Sequence, residues 1–181
     1  RKACIQCLTW WKEGLPSFKL SANLSVNELI EGYSKGLSAM IDELGFPYEQ
    51  LELEVTESLV MSNSSLAIAE LKNIQNLGIS IAMDDFGTGH SSLSQLKSLP
   101  ISKLKIDRSF VSDIPEDKND AAIVKTILAM ARTLELRVVA EGVETKEQLD
   151  FLTKEGCDDI QGYYLSKPLD EESFARYIAS I

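Results

Sequence analysis

Along the chain the spacing of apolar residues switches repeatedly between a period of two and a period of about 3.6, as expected where short strands alternate with helices. Extended segments are expected at 18–23 (FKLSAN), 51–55 (LELEV), 79–84 (ISIAMD), 103–107 (KLKID), 137–141 (RVVAE) and 158–161 (DDIQ). Helices are expected from about Ala3 to Lys12 and at 26–44, 64–77, 91–98, 119–135, 145–155 and 170–180. Gly78 stops the third of these at a position that favours a left-handed cap. The pattern is six βα units behind one leading helix, and no Pro/Gly/Ser-rich linker divides them. A single domain is expected.

Strand–helix alternation implies an α/β fold with a parallel sheet, either open or closed into a barrel. The strand faces choose between these. Leu51, Leu53 and Val55 oppose Glu52 and Glu54; Ile79, Ile81 and Met83 oppose Ser80, Ala82 and Asp84; Leu104 and Ile106 oppose Lys103, Lys105 and Asp107. Parallel strands covered by helices on both faces are apolar throughout, whereas a TIM-type barrel turns its apolar face to the outer helices and its polar face inward. The last inward residues, Asn23, Glu54, Asp84, Lys105 or Asp107, Glu141 and Gln161, then converge on the C-terminal mouth, where barrel enzymes place their chemistry. A lower layer of Lys19, Glu52, Lys103, Arg137 and Asp159 is expected to form a structural ion-pair ring, because buried charges must be paired. A Lys103→Met change should therefore leave activity intact.

Composition narrows the ligands. Lys plus Arg number 18 against 28 Asp plus Glu, a formal net charge of −10. Such a surface disfavours nucleic-acid polymers and anionic membranes, so a phosphate-bearing ligand must be met by local cations. No apolar run approaches the ~20 residues of a membrane helix. Three cysteines, Cys4, Cys7 and Cys157, point to a reducing, cytoplasmic compartment rather than a disulfide scaffold. The Cys4-x-x-Cys7 spacing is expected on a buried helix face, and the charged run 116–120 in a solvated loop and helix start.

The chemistry concentrates at Asp84-Asp85, which ends an apolar strand and runs into Phe86-Gly87-Thr88-Gly89. Adjacent carboxylates reach one site only where the strand bends, and the glycines permit a bend. With Glu54, Glu141 and the Asn23 amide, the rim offers an all-oxygen donor set whose like charges call for hard divalent cations, Mg²⁺ or Mn²⁺. A single His and no clustered Cys argue against zinc. Two cations sharing Asp84 would suit phosphodiester hydrolysis, with Lys105 orienting or deprotonating the attacking water.

Six stretches, SANLS (21–25), ELEVTES (52–58), DDFGTG (84–89), KIDRSFV (105–111), AEGVE (140–144) and QGYYLSKP (161–168), together resemble the motif series of EAL domains, the cyclic di-GMP phosphodiesterases of bacterial signalling. The resemblance implies a modified (β/α)8 barrel. It assigns metal-ligand roles to Asn23, Glu54, Asp84, Asp85 and Glu141, water contact to Lys105, and a place lining the site to Gln161. Glu57 is implied to anchor the loop Gly87–Ser92, which the family associates with metal binding and dimer contacts, and Glu144 to support the site. His90 stands where the family commonly has Tyr, and is expected to be a tolerated loop residue. The family's Glu-Ala-Leu glutamate, a metal ligand, and its neighbouring arginine have no counterpart here. The 181 residues are expected to be the last six βα units, short of a ~250-residue barrel by roughly 70. Two strands and the Glu-Ala-Leu motif would lie upstream, leaving exposed sheet edges prone to association and little activity in this piece alone.

The resemblance also implies a homodimer in the intact protein, covalently linked sensory or diguanylate-cyclase domains, and compatibility with a membrane-anchored parent. A non-catalytic cyclic di-GMP receptor is the alternative function. A Schiff-base lysine at Lys105 is a third reading, which the acidic rim opposes.

Overall fold

Six strands lie side by side in chain order, every neighbouring pair parallel. They are β1 (Leu20–Leu24), β2 (Leu51–Thr56), β3 (Ser80–Phe86), β4 (Lys103–Ile106), β5 (Arg137–Glu141) and β6 (Asp159–Gln161). The computed structural model describes residues 1–57, 65–87 and 96–180. Its helices are α1 (Lys2–Lys12), α2 (Tyr33–Leu44), α3 (Ser65–Asn76), α4 (Arg108–Val111), α5 (Lys118–Thr133), α6 (Lys146–Glu155) and α7 (Glu171–Ala179). The sheet is the curved part of a barrel, with β1 and β6 as its edges among the described residues.

The apolar face goes where the alternation places it. Leu53, Val55, Ile81, Met83, Leu104, Ile106, Val138 and Ala140 are buried, as are Ile41, Leu71, Ile74, Val124, Leu128 and Leu152 of the outer helices. Burial of this apolar area is the main stabilising term. Both cysteines of α1 are buried in the same core. Trp10, Phe18 and Phe174 gather between α1, the segment leading into β1, and α7, with ring centroids 5.1 to 6.1 Å apart. A cavity of about 710 Å³ lies on this flank, away from the strand ends that carry the carboxylates.

Local chemistry sets the boundaries. Asp117, Thr145 and Asp170 cap α5, α6 and α7, each side chain accepting from first-turn amides that have no partner within the helix. The 116–120 run is thus loop and helix start. The expected helix at 26–44 is two pieces, a 3₁₀ turn at Val26–Glu28 and then α2. Glu28 accepts from the amide and hydroxyl of Ser25, a local alternative to helical bonding, and Gly32 enters α2 with a φ of +83°. The four-residue α4, which periodicity does not detect, is capped by Asp107 accepting from the Ser109 amide. Phe18 joins the aromatic cluster, and β1 starts at Leu20. Most of the expected 91–98 helix lies outside the described residues.

Candidate active site

Lys105 projects from β4 into the barrel interior and is only 5% exposed. Its ammonium donates to Glu54 Oε2 at 2.9 Å, to Asp84 Oδ1 at 2.9 Å and contacts Glu141 Oε1 at 2.8 Å. One cation therefore joins carboxylates from β2, β3 and β5. Asp85 adds a fourth, and single carboxylate oxygens of Asp84, Asp85 and Glu141 all lie within 4.8 Å of one another.

The pairing of β3 with β4 explains how two consecutive aspartates serve one site. Met83 is level with Leu104, yet Phe86 is level with Ile106, so three steps on β3 match two on β4. This irregularity is a bulge centred on Asp84-Asp85, and Asp85 adopts a φ of +54°. A bulge re-aims side chains that would otherwise point to opposite faces. The bend expected from Gly87 and Gly89 thus begins earlier, on a non-glycine residue whose left-handed conformation costs energy. Gly89, His90 and the rest of the Gly87–Ser92 loop beyond Gly87 lie outside the described residues.

Four carboxylates against one ammonium leave a formal charge of −3 in this cluster. Burial, then the charges of Asp84 and Asp107, push the Asp85 carboxyl above its ordinary pKa against the pull of Lys105. Burial raises Glu141 as well, Asp84 and Glu54 add to it, and the Lys105 bond opposes. For Lys105 burial acts downward, but its bonds to Glu141, Asp84 and Glu54 outweigh it and raise the pKa. In this charged form Lys105 is a hydrogen-bond donor to the carboxylates around it. The clustered carboxylates and their all-oxygen donor set fit a hard divalent cation.

Asn23 and Gln161 stand one strand out on either side. Asn23 of β1 is level with Glu54, and Gln161 of β6 is level with Glu141. Gln161, Glu54 and Lys105 line a common cavity of about 280 Å³. Glu57, 3% exposed, accepts from the Gly87 amide at 3.3 Å. Glu144 pairs with Arg108 at 2.8 Å on the surface. Gly162 matters for a reason the sequence does not announce: a Cβ there would lie 2.1 Å from the Val143 carbonyl oxygen. That close approach lets Val143 N–H donate to the Gln161 carbonyl and Tyr164 N–H to the Val143 carbonyl, tying the turn after Glu141 to the turn after Gln161. Gln148 is another residue that the motif series passes over, although Thr145-x-x-Gln148 has the spacing of a capping box.

Below the rim, Lys103 pairs with Glu52 at 2.9 Å and Arg137 with Asp159 at 3.1 Å. Lys19 donates to the Ser80 hydroxyl at 3.0 Å rather than to a carboxylate. In place of the expected ring there are two separate ion pairs, with Lys19 joined to Glu52 through the Ser80 hydroxyl. Among the described residues, no helix is long and apolar enough to cross a membrane.

The sequence profile of the EAL domain matches residues 1–168. MucR of Pseudomonas aeruginosa, a bifunctional diguanylate cyclase/cyclic di-GMP phosphodiesterase, is 40% identical over 98% of this chain and 26% of its own length. The solved MucR phosphodiesterase–cyclic di-GMP complex superposes with a TM-score of 0.89, at 40% identity, over 96% of this chain and 70% of that one. The cyclic di-GMP phosphodiesterase NbdA of the same organism is 42% identical over 93% of this chain and 22% of its own length. The manganese/cyclic di-GMP complex of BlrP1 from Klebsiella pneumoniae gives a TM-score of 0.82 at 31% identity, covering 92% of this chain and 42% of that one. The chain spans about a quarter of the length of these curated relatives. With its parallel half-barrel and the carboxylates gathered at its mouth, the chain belongs to the EAL domain family.

Proposed function

We propose that this chain carries the reaction centre of a metal-dependent cyclic di-GMP phosphodiesterase. The observation that carries the reading is the Lys105 ammonium among Glu54, Asp84 and Glu141, with Asp85 alongside. Hydrolysis adds hydroxide to one phosphorus and a proton to the departing 3′ oxygen, opening the ring to linear pGpG. Asn23, Glu54, Asp84, Asp85 and Glu141 would hold two Mg²⁺ or Mn²⁺ ions. When bound, such cations acidify water and neutralise phosphate charge. Lys105 donates a hydrogen bond that orients the attacking water, and the Gln161 amide lines the same cavity. Glu57, through the Gly87 amide, steadies the turn behind Asp85, and Glu144 braces the turn behind Glu141.

The Glu-Ala-Leu triplet is absent from the 181 residues. We infer that they turn over little until a segment bearing it is supplied. The names of MucR and of the oxygen sensor DosP support a module that works beside diguanylate-cyclase or sensory domains, and we propose further that it is cytoplasmic and acts as a homodimer. The test is chromatographic assay of a protein carrying this domain and that segment, with cyclic di-GMP and Mn²⁺ or Mg²⁺. Linear pGpG that disappears with chelator is the expected result. Tight binding without turnover would make the domain a receptor, and neither binding nor turnover would end the reading.

A further inference from the structure

We propose that Gln148 is a positioning residue for the carboxylate cluster, and that it acts by locking α4 as a spacer between two turns. One turn follows Asp84-Asp85 and the other follows Glu141, so their separation sets the separation of the carboxylates they carry. The proposal rests on the cluster being the reaction centre.

The four residues of α4 reach both turns. Phe110 lies against Gly87, where a Cβ would come within 2.9 Å of its ring. Arg108 covers Gly142, where a Cβ would fall 2.3 Å from its Cγ, and its guanidinium pairs with Glu144. So short a helix has too few internal bonds to hold itself. Gln148, 4% exposed, supplies the missing fixture. Its Nε2 donates to the Ser112 carbonyl at the end of α4 at 2.9 Å, while Oε1 accepts from the amides of Glu144 at 2.7 Å and Thr145 at 3.0 Å. A helix cap alone requires only the second set of bonds. The bond to Ser112 adds the spacer.

Three variants of the domain-bearing protein separate these roles. Gln148→Glu keeps acceptors for Glu144 and Thr145 but sets an oxygen against the Ser112 carbonyl. Thr145→Ala breaks the other half of the capping box and leaves Ser112 bonded. Phe110→Leu loosens the spacer at its Gly87 end and serves if Gln148→Glu fails to fold. Hydrogen exchange at the Gly87 amide is measured without metal, and Mn²⁺ affinity by calorimetry. Gln148→Glu is expected to speed exchange at Gly87 several-fold and weaken Mn²⁺ binding by about tenfold to a hundredfold, as loss of a supporting residue does. Thr145→Ala should lower only the melting temperature. Equal behaviour of Gln148→Glu and Thr145→Ala at Gly87 and toward Mn²⁺ would overturn the proposal. A wild type that ignores Mn²⁺, with Gly87 still responding to Gln148→Glu, would defeat the phosphodiesterase reading and uphold the spacer.

Discussion

Lys103 and Lys105 stand two residues apart on β4, both facing the barrel interior, in opposite electrostatic settings. Lys103 meets Glu52, which also accepts from the hydroxyls of Ser21 and Ser80. That layer holds three cations and two anions, and Glu52 is fully hydrogen-bonded. Lys105 meets three carboxylates with a fourth nearby. A layer whose charges nearly cancel pairs them internally, whereas one that concentrates charge of one sign suits a ligand that cancels it. The same strands thus build a charge-paired floor and the rim that we propose is the reaction centre. The distinction is in the charge count of each layer.

Breaking the rim should give the largest effect. Asp84→Asn removes a carboxylate bonded to Lys105 and adjacent to both Asp85 and Glu141. Several kcal/mol of transition-state stabilisation corresponds to a loss of about 10²–10³-fold in turnover. The melting temperature of the metal-free protein should hold or rise, because a like charge is gone. Turnover by chromatography and a thermal scan decide it; a stability loss with activity preserved would assign Asp84 to the floor.

Lys105→Met comes next. Without its ammonium Glu54, Asp84 and Glu141 lose the counter-charge they share, so the metal-free protein should melt earlier and Mn²⁺ should restore most of the loss. Turnover should fall about 10²-fold, as when one positioned donor is removed. Calorimetry with and without Mn²⁺ tests the first half, and Mn²⁺ failing to recover stability would contradict it.

On the floor the order reverses. Lys103→Met strands Glu52, which is 3% exposed, and should cost about 3 kcal/mol in denaturant unfolding with turnover unchanged. Adding Glu52→Gln should recover most of that stability, since the cost lies in the orphaned charge. A lasting loss of activity in the double variant would place the floor within the reactive machinery.

The barrel and its two polar layers were legible in the sequence because period-two alternation with charged inward positions suits few folds besides a barrel. The cluster was legible too, since Glu54, Asp84, Lys105 and Glu141 each end an inward face. What sequence spacing conceals is register. The bulge that turns Asp85 into the site follows from the pairing of Met83 and Phe86 with β4, a property of two strands rather than of either. Likewise Gly162 and Gln148 acquire meaning only from the Val143 backbone and the Ser112 carbonyl, which belong to other segments. The helix expected across 26–44 failed on Gly32, where a local turn competes with helical bonding.

Glu70 sharpens the contrast with the smallest expected effect, being a buried carboxylate hydrogen-bonded by backbone amides. It sits on α3 and accepts from the amides of Gly32 at 3.1 Å and Ser34 at 2.8 Å, capping α2 from outside that helix. The Ser34 amide bond holds its pKa below the ordinary value of 4.5; burial opposes, and the Ser34 hydroxyl, the Gly32 amide and the Lys35 charge assist. A carboxyl whose folded pKa is depressed contributes fully above its unfolded pKa and loses that contribution as pH falls through the folded value. Glu70→Gln should therefore cost about 1–2 kcal/mol near pH 7, the value of a charged cap. The difference from wild type should shrink below about pH 4.5 and vanish once the wild-type carboxyl is protonated. Denaturant unfolding across that range measures it, and saturating Mn²⁺ should leave the difference unchanged. A Mn²⁺-dependent difference would mean that the backbone-satisfied carboxylate and the rim are one electrostatic unit, and the division between floor and rim would have to be redrawn.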